Sequence, residues 1–293
     1  MFHYWCIHKY KKRQEGSKML RRLKEIIGYD IISRNGEIGE VHDFLFDDYN
    51  WAVRYMIADT GDWLTDHKVL ISPVSLGKAD WDNKNFHVNL DKEQIERSPV
   101  LNENERYISR QYENDLAGYY GWPQYWSGDR GGYAGYSGDY TPSYIHSGTR
   151  YGGAAGTTGT GMQSEGMRQQ DRRNQQQTMP FESNLRSIDD VTGFDIRTTD
   201  GTLGKVEDFL ADDNNWMVRY MLVDTHKILP GGKHVLITPH WINQINWDDS
   251  EVEVNLTEAM VKNSPEVDVD RPITREYESR LFEHYSRPKY WER

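Results

Sequence analysis

The chain spells one passage twice: DDYNWAVRYM, from Asp47 to Met56, returns as DDNNWMVRYM, from Asp212 to Met221. Placing Gly28 on Gly193 aligns GYDIISRNGEIGEVHDFLFDDYNWAVRYMIADT with GFDIRTTDGTLGKVEDFLADDNNWMVRYMLVDT, and more than half of the positions are identical. After a one-residue difference in length, KVLISP answers HVLITP, Trp81 answers Trp247, and Ser98-Pro99 answers Ser264-Pro265. The end repeats as well, since ISRQYENDLAGYYGWPQYW from Ile108 matches ITREYESRLFEHYSRPKYW from Ile273. A module of about 100 residues has been duplicated, so the fold must be one that each copy's own pattern specifies.

Turn chemistry gives that pattern. Asn35-Gly36 and Asp200-Gly201 are dipeptides favoured in two-residue hairpins, whose central positions need positive φ. A strand follows from Glu37 to Asp47, ended by Asp47, Asp48 and Asn50, which bond their own backbone in turns. The next runs from Trp51 to Asp59, with Trp51, Val53, Tyr55 and Ile57 on one face and Ala52, Arg54, Met56 and Ala58 on the other. Both faces are mostly apolar, as in a strand covered on each side. KVLIS and NFHVNL add shorter strands, and DKEQIER is a short helix N-capped by Asp91. Gly39 and Gly204 fall inside strand patterns, where glycine marks a bulge or a corner at which backbones approach closely. Five or six short strands with such corners predict an all-β fold, a small antiparallel barrel in each copy.

The stretch IGYDIISRNGEIGEVHDFLFDDYNWAVRYMIADT…KVLISP, with VNLDKEQIERSP downstream, resembles the PRC-barrel family, as does the second copy from Val191 to Pro265. That family is named for the cytoplasmic domain of the photosynthetic reaction-centre H subunit, and the ribosome-maturation factor RimM carries a more remote relative as its C-terminal barrel. The resemblance implies the barrel fold. Its motifs are signatures of fold, so no functional residue is carried over.

Each barrel is followed by an aromatic tail. Ile108, Tyr112, Leu116 and Tyr119 or Tyr120 recur at helical spacing, as do Ile273, Tyr277, Leu281 and Tyr285, until Pro123 and Pro288. Each tail ends in Tyr-Trp, at Trp126 and Trp291. The stripe either lies back over its own barrel or docks on the other module or a partner, as an amphipathic helix does in a groove. Tyr112, Tyr120, Trp126, Tyr277, Tyr285 and Trp291 are therefore candidate interaction positions.

The organisation expected is an upstream extension or disordered tail (1–18), module 1 (19–126, barrel about 22–100 and tail 106–126), a Gly/Tyr/Gln-rich linker (127–184), and module 2 (185–293, barrel about 187–266 and tail 271–293). MLRRLKEIIGYD leads straight into the first repeat, which makes Met19 the expected start of translation. The linker holds too few aliphatic residues to offset the entropy of ordering it, so it reads as flexible, with Tyr133, Tyr136, Tyr140 and Tyr144 as weak stickers or plain spacer. Its length lets the barrels dock on each other or hold separate targets.

A net charge of −11 disfavours nonspecific attraction to nucleic acid or anionic lipid. No apolar run approaches the roughly 20 residues of a membrane-spanning helix. The first residues lack the apolar core of a secretory signal, so the compartment expected is the cytoplasm. One cysteine, Cys6, makes neither an intramolecular disulfide nor a structural zinc site.

Chemistry is hard to find. No His, Ser or Cys combination with nucleophile-base logic is repeated, and neither a phosphate-binding loop nor a dinucleotide fingerprint is present. Asp47, Asp48 and Asn50 lack the ligand pattern of a calcium loop and read as a turn. Arg54 and Arg219, in otherwise apolar strands, are expected to pair with Asp43 and Asp208, with ligand binding as the alternative. Asp59 and Asp224 end the same strands. No catalytic residue, cofactor or metal is expected. The reading is a non-catalytic protein-interaction or scaffold protein with partners unidentified. The alternatives are a soluble accessory of photosynthetic or other membrane electron-transfer complexes, implied by the H-subunit resemblance, and a ligand- or metal-responsive sensor or enzyme.

Overall fold

The computed structural model describes residues 19–64, 68–101, 108–126, 183–226 and 232–292. The expectations for residues 1–18, the four linker tyrosines and most of the linker fall outside the described residues. In module 1 the strands are β1 (Leu20–Arg22), β2 (Asp30–Ser33), β3 (Gly36–Asp47), β4 (Ala52–Asp59), β5 (Lys68–Ile71), β6 (Leu76–Asp80) and β7 (Asn85–Val88). Module 2 repeats them as β8 (Leu185–Ser187), β9 (Asp195–Arg197), β10 (Thr202–Asp212), β11 (Val218–Asp224), β12 (His234–Ile237), β13 (Ile242–Asn246) and β14 (Glu251–Val254). Helices are short: α1 (Leu23–Ile26), α2 (Lys92–Glu96) and the tail helix α3 (Arg110–Tyr120), then α4 (Ile188–Val191), α5 (Glu258–Lys262) and the tail helix α6 (Arg275–His284).

The two sheets run β5-β4-β3-β2-β7-β6 and β12-β11-β10-β9-β14-β13, all neighbours antiparallel except β2 with β7 and β9 with β14. Each sheet has seven strands, and the seventh comes from the other module. β1 pairs with β10, Arg21 opposite Ala211, while β8 pairs with β3, Phe46 opposite Arg186. The modules thus exchange their first strands reciprocally, the isologous pattern of a domain-swapped dimer written into one chain. Neither module closes its sheet with its own first strand.

Further bonds cross at the junction. Val53 N–H donates to Trp216 O at 2.9 Å, and Val218 N–H donates to Trp51 O at 2.8 Å. Trp51 and Trp216 hold positive φ, 55° and 56°, in the turns before β4 and β11 rather than opening those strands as expected. A bulky residue there is strained. The conformation places Trp216 against Phe44 (5.8 Å between ring centres) and Phe86 (6.0 Å), and Trp51 against Phe46 (5.2 Å) and Phe209 (6.5 Å). The two cores are consequently one hydrophobic cluster.

Other local expectations meet mixed fates. A Cβ on Gly39 would lie 1.9 Å from the carbonyl oxygen of Asp59, and one on Gly204 would lie 2.2 Å from that of Asp224, so both corners need glycine. The first hairpin forms one residue earlier than Asn35-Gly36, because Ser33 pairs with Gly36. Gly36 has positive φ but Asn35 does not, and the Ser33 hydroxyl holds the turn by donating to Gly36 O at 2.6 Å. Asp91 caps α2, its N–H bonded to Gln94 Oε1 at 2.9 Å. β6 and β13 were not legible as strands, and the tail helices stop before their prolines, at Gly121 in the left-handed conformation and at Tyr285.

Candidate functional site: a repeated ionic cluster under the aromatic tails

Both tails fold back on their own barrels. Tyr112 donates its hydroxyl to Pro99 O at 3.1 Å and Tyr277 to Pro265 O at 3.0 Å. Tyr120 stacks on Trp122, 4.2 Å between ring centres, and the Trp122 indole donates to Ser75 Oγ at 2.8 Å. In module 2 Tyr285 is buried against Trp241 at 4.4 Å. Burial pushes the Tyr120 and Tyr285 phenols up to about 12, and raises those of Tyr112 and Tyr277 further.

The buried face of each tail helix carries a carboxylate that the apolar stripe did not reveal. Glu113 Oε1 accepts from Tyr55 at 3.2 Å and Tyr125 at 2.6 Å, while Oε2 accepts from Arg110 at 2.6 Å. Glu278 repeats this with Tyr220 at 2.8 Å, Tyr290 at 2.9 Å and Arg275 at 2.8 Å. Beside them Arg54 lies 4.1 Å over the Tyr125 ring, and Arg219 lies 4.7 Å over Tyr290. Arg110 and Arg275 cover the terminal Trp126 and Trp291 at 4.6 and 4.2 Å. The chain thus builds the same cluster twice: two arginines, two tyrosines, a tryptophan, and carboxylates from barrel and tail.

The barrel carboxylate corrects one expectation. Arg54 pairs with Asp47 at 2.9 Å, and Arg219 with Asp212 at 3.5 Å, rather than with Asp43 and Asp208. Asp47 also accepts from the N–H groups of Tyr49 (2.9 Å) and Asn50 (3.1 Å), so it serves as turn and counter-ion together. Asp43 and Asp208 sit at register shifts of β3 and β10 and receive the exchanged segments instead. Asp43 accepts from the Ser187 hydroxyl; Asp208 accepts from Arg22 Nε at 2.9 Å and Lys24 N–H at 3.1 Å. Asp48 and Asp213 take Arg186 and Arg21 at 3.1 and 3.3 Å, and those arginines lie over Trp247 and Trp81 at 4.4 and 4.0 Å. Their place at the exchange had no signal in sequence, because either copy offers the same partner.

Electrostatics fit a structural role. Burial pushes Asp43 and Asp48 up to about 6, against the lowering effect of Ser187 on the first and Arg186 on the second. Burial likewise raises Glu113 and Glu278, partly offset by their tyrosine and arginine donors. These carboxylates face donors rather than an open reaction volume. One cleft of about 310 Å³ lies elsewhere, where Arg21, Arg22 and Leu20 of the exchanged segment meet Leu210, Val269 and Ile273.

Asp59 and Asp224 do end β4 and β11, away from the arginines. Asp59 accepts from Gly61 N–H at 2.9 Å, whereas Asp224 accepts from His226 N–H at 2.8 Å and lies 2.6 Å from its Nδ1. Among the described residues, no helix is long and apolar enough to cross a membrane.

Comparison with known proteins agrees with the fold. No curated protein matches the chain. Residues 19–95 match the PRC-barrel domain, the segment that holds β1 to β7. Residues 19–95 therefore form a PRC-barrel domain, and the second module repeats its strand order.

Proposed function

We propose that the protein is a non-catalytic interaction protein, a platform of two interlocked barrels that presents duplicated surfaces to a protein partner. The observation that supports this is the reciprocal exchange of β1 and β8, which fixes the two barrels in one pseudo-twofold unit. A platform of that kind engages a dimeric or repeated target with both halves, raising avidity without a new type of contact. The repeated ionisable groups support the same reading, since Asp47, Arg54, Glu113 and Arg110 serve one another beneath the tail.

The test is quantitative affinity capture by the full chain from its native host, followed by titration with the purified partner. A near-stoichiometric partner that saturates as one dimer, or one repeat pair, per chain is the expected result. The absence of any partner enriched over a denatured-bait control would refute it.

A further inference from the structure

The three-strand edge β10-β11-β12 gathers side chains that the internal cluster does not use. Asp224 is the last residue of β11, and His234, its ladder partner, is the first of β12. His226 follows Asp224 by two residues. Each of the three offers one ligand atom within 4.8 Å of the others, and the two imidazole centres lie 5.0 Å apart. We propose that Asp224, His226 and His234 form a binding site for a divalent transition-metal ion of the zinc class, located in the second module alone.

Three features carry this. Two imidazoles with one carboxylate are borderline donors, which favour zinc-class ions over the all-oxygen coordination of calcium or magnesium. Next, Glu207 Oε2 lies 2.8 Å from Nε2 of His234. A carboxylate accepting a proton at Nε2 leaves Nδ1 as the free lone pair, the arrangement in which a second carboxylate orients a metal-binding histidine. Glu207 is the residue skipped by the register shift between Val206 and Asp208, so the bulge aims it. Finally, the first module is an internal contrast. There the ladder pair is Asp59 with Lys68, Gly61 follows Asp59 by two residues, and His42 aligns with Glu207. An ammonium replaces one imidazole and a hydrogen the other, which removes the site while keeping the fold.

Tetrahedral bonds of about 2.1 Å place ligand atoms about 3.4 Å apart, so the 2.6 Å pair of Asp224 Oδ1 and His226 Nδ1 opens by somewhat under an ångström and no pair need close by more than about 1.4 Å. The side chains can make these shifts, being 52% (His226), 34% (Asp224) and 26% (His234) exposed. That exposure, and only three protein donors, make the ion exchangeable, with water completing its coordination. The ion would join the two ends of the connection between β11 and β12, which goes beyond the scaffold reading and does not depend on it.

The experiment is calorimetric titration of metal-stripped full-length protein with ZnCl2, in a His3→Ala, Cys6→Ser, His8→Ala background that removes donors near the N-terminus. The expected result is one Zn2+ per chain. His226→Ala and His234→Ala should each weaken it by about tenfold or more, Glu207→Gln by about tenfold, and His42→Ala not at all. The melting temperature of each metal-free variant shows that it folds. No saturable Zn2+ binding, or binding indifferent to both His226→Ala and His234→Ala, would overturn the site.

Discussion

Leu23 offers a sharp test of how far the two modules are one cooperative unit. It is fully buried in α1, directly after the exchanged strand β1, and α1 packs on β10 of the other module as well as on β3. Leu23→Ala removes a fully buried side chain and leaves a cavity, which costs about 3 kcal/mol within the usual range of 2–5 kcal/mol. For one cooperative unit of about 200 residues, each kcal/mol lowers the melting temperature by about 2–4 °C, a drop of about 6–12 °C for the whole protein. Were the barrels independent units of about 100 residues, the drop would be about 12–24 °C in one transition and nothing in the other. Thermal unfolding followed by circular dichroism reads the number of transitions. Hydrogen exchange by mass spectrometry reads where protection is lost, and β10 and β11 should lose it along with β3 and β4. A second transition at the wild-type temperature, with exchange in β10 and β11 unchanged, would refute the reasoning.

Three other outcomes follow from the same geometry. Gly39→Ala drives a Cβ into the Asp59 carbonyl and should cost at least about 2 kcal/mol in urea unfolding, whereas Gly28→Ala, at φ 79° with open space around it, should cost about 1 kcal/mol. Glu113→Ala strands the donors of Arg110, Tyr55 and Tyr125 and should destabilise by about 3–5 kcal/mol, with Glu278→Ala comparable; a change below 1 kcal/mol in both would contradict the structural role of the cluster. The Asp43 carboxyl, raised from 3.8 to about 6, binds its proton more tightly folded than unfolded, so its contribution to stability is full below pH 4 and falls as pH rises towards 6. Asp43→Asn removes that dependence, so relative to wild type it should gain about 2 kcal/mol between pH 4 and pH 7.5; a pH-independent difference in urea unfolding would rule this out.

Much of the barrel could be read from the sequence because its determinants are local. Gly39 and Gly204 marked the corners, Asp47 the turn, and the alternation from Val53 to Ala58 a strand covered on both faces. Trp51 was misplaced because a strand pattern cannot show that the residue before it adopts positive φ. Glu113 hid within an apolar helical stripe, since its burial depends on Tyr55 and Arg110 arriving from other elements. The strand exchange was invisible for a deeper reason. LRR and LRS present nearly the same edge to β3 and β10, and an alternating pattern specifies pairing without specifying which copy supplies the partner. The repeat gives no signal of the cluster of Asp224, His226 and His234, because the first copy has Gly61 and Lys68 at the places of the two histidines.

The central claim is that the two modules are interlocked by their first strands rather than tethered by residues 127–182. A protease site inserted near Gly156, cut to completion and followed by native mass spectrometry, tests it most directly. The two halves should remain a 1:1 complex after cleavage, with a melting temperature close to that of the intact chain. Separation into two folded halves under the same conditions would contradict it.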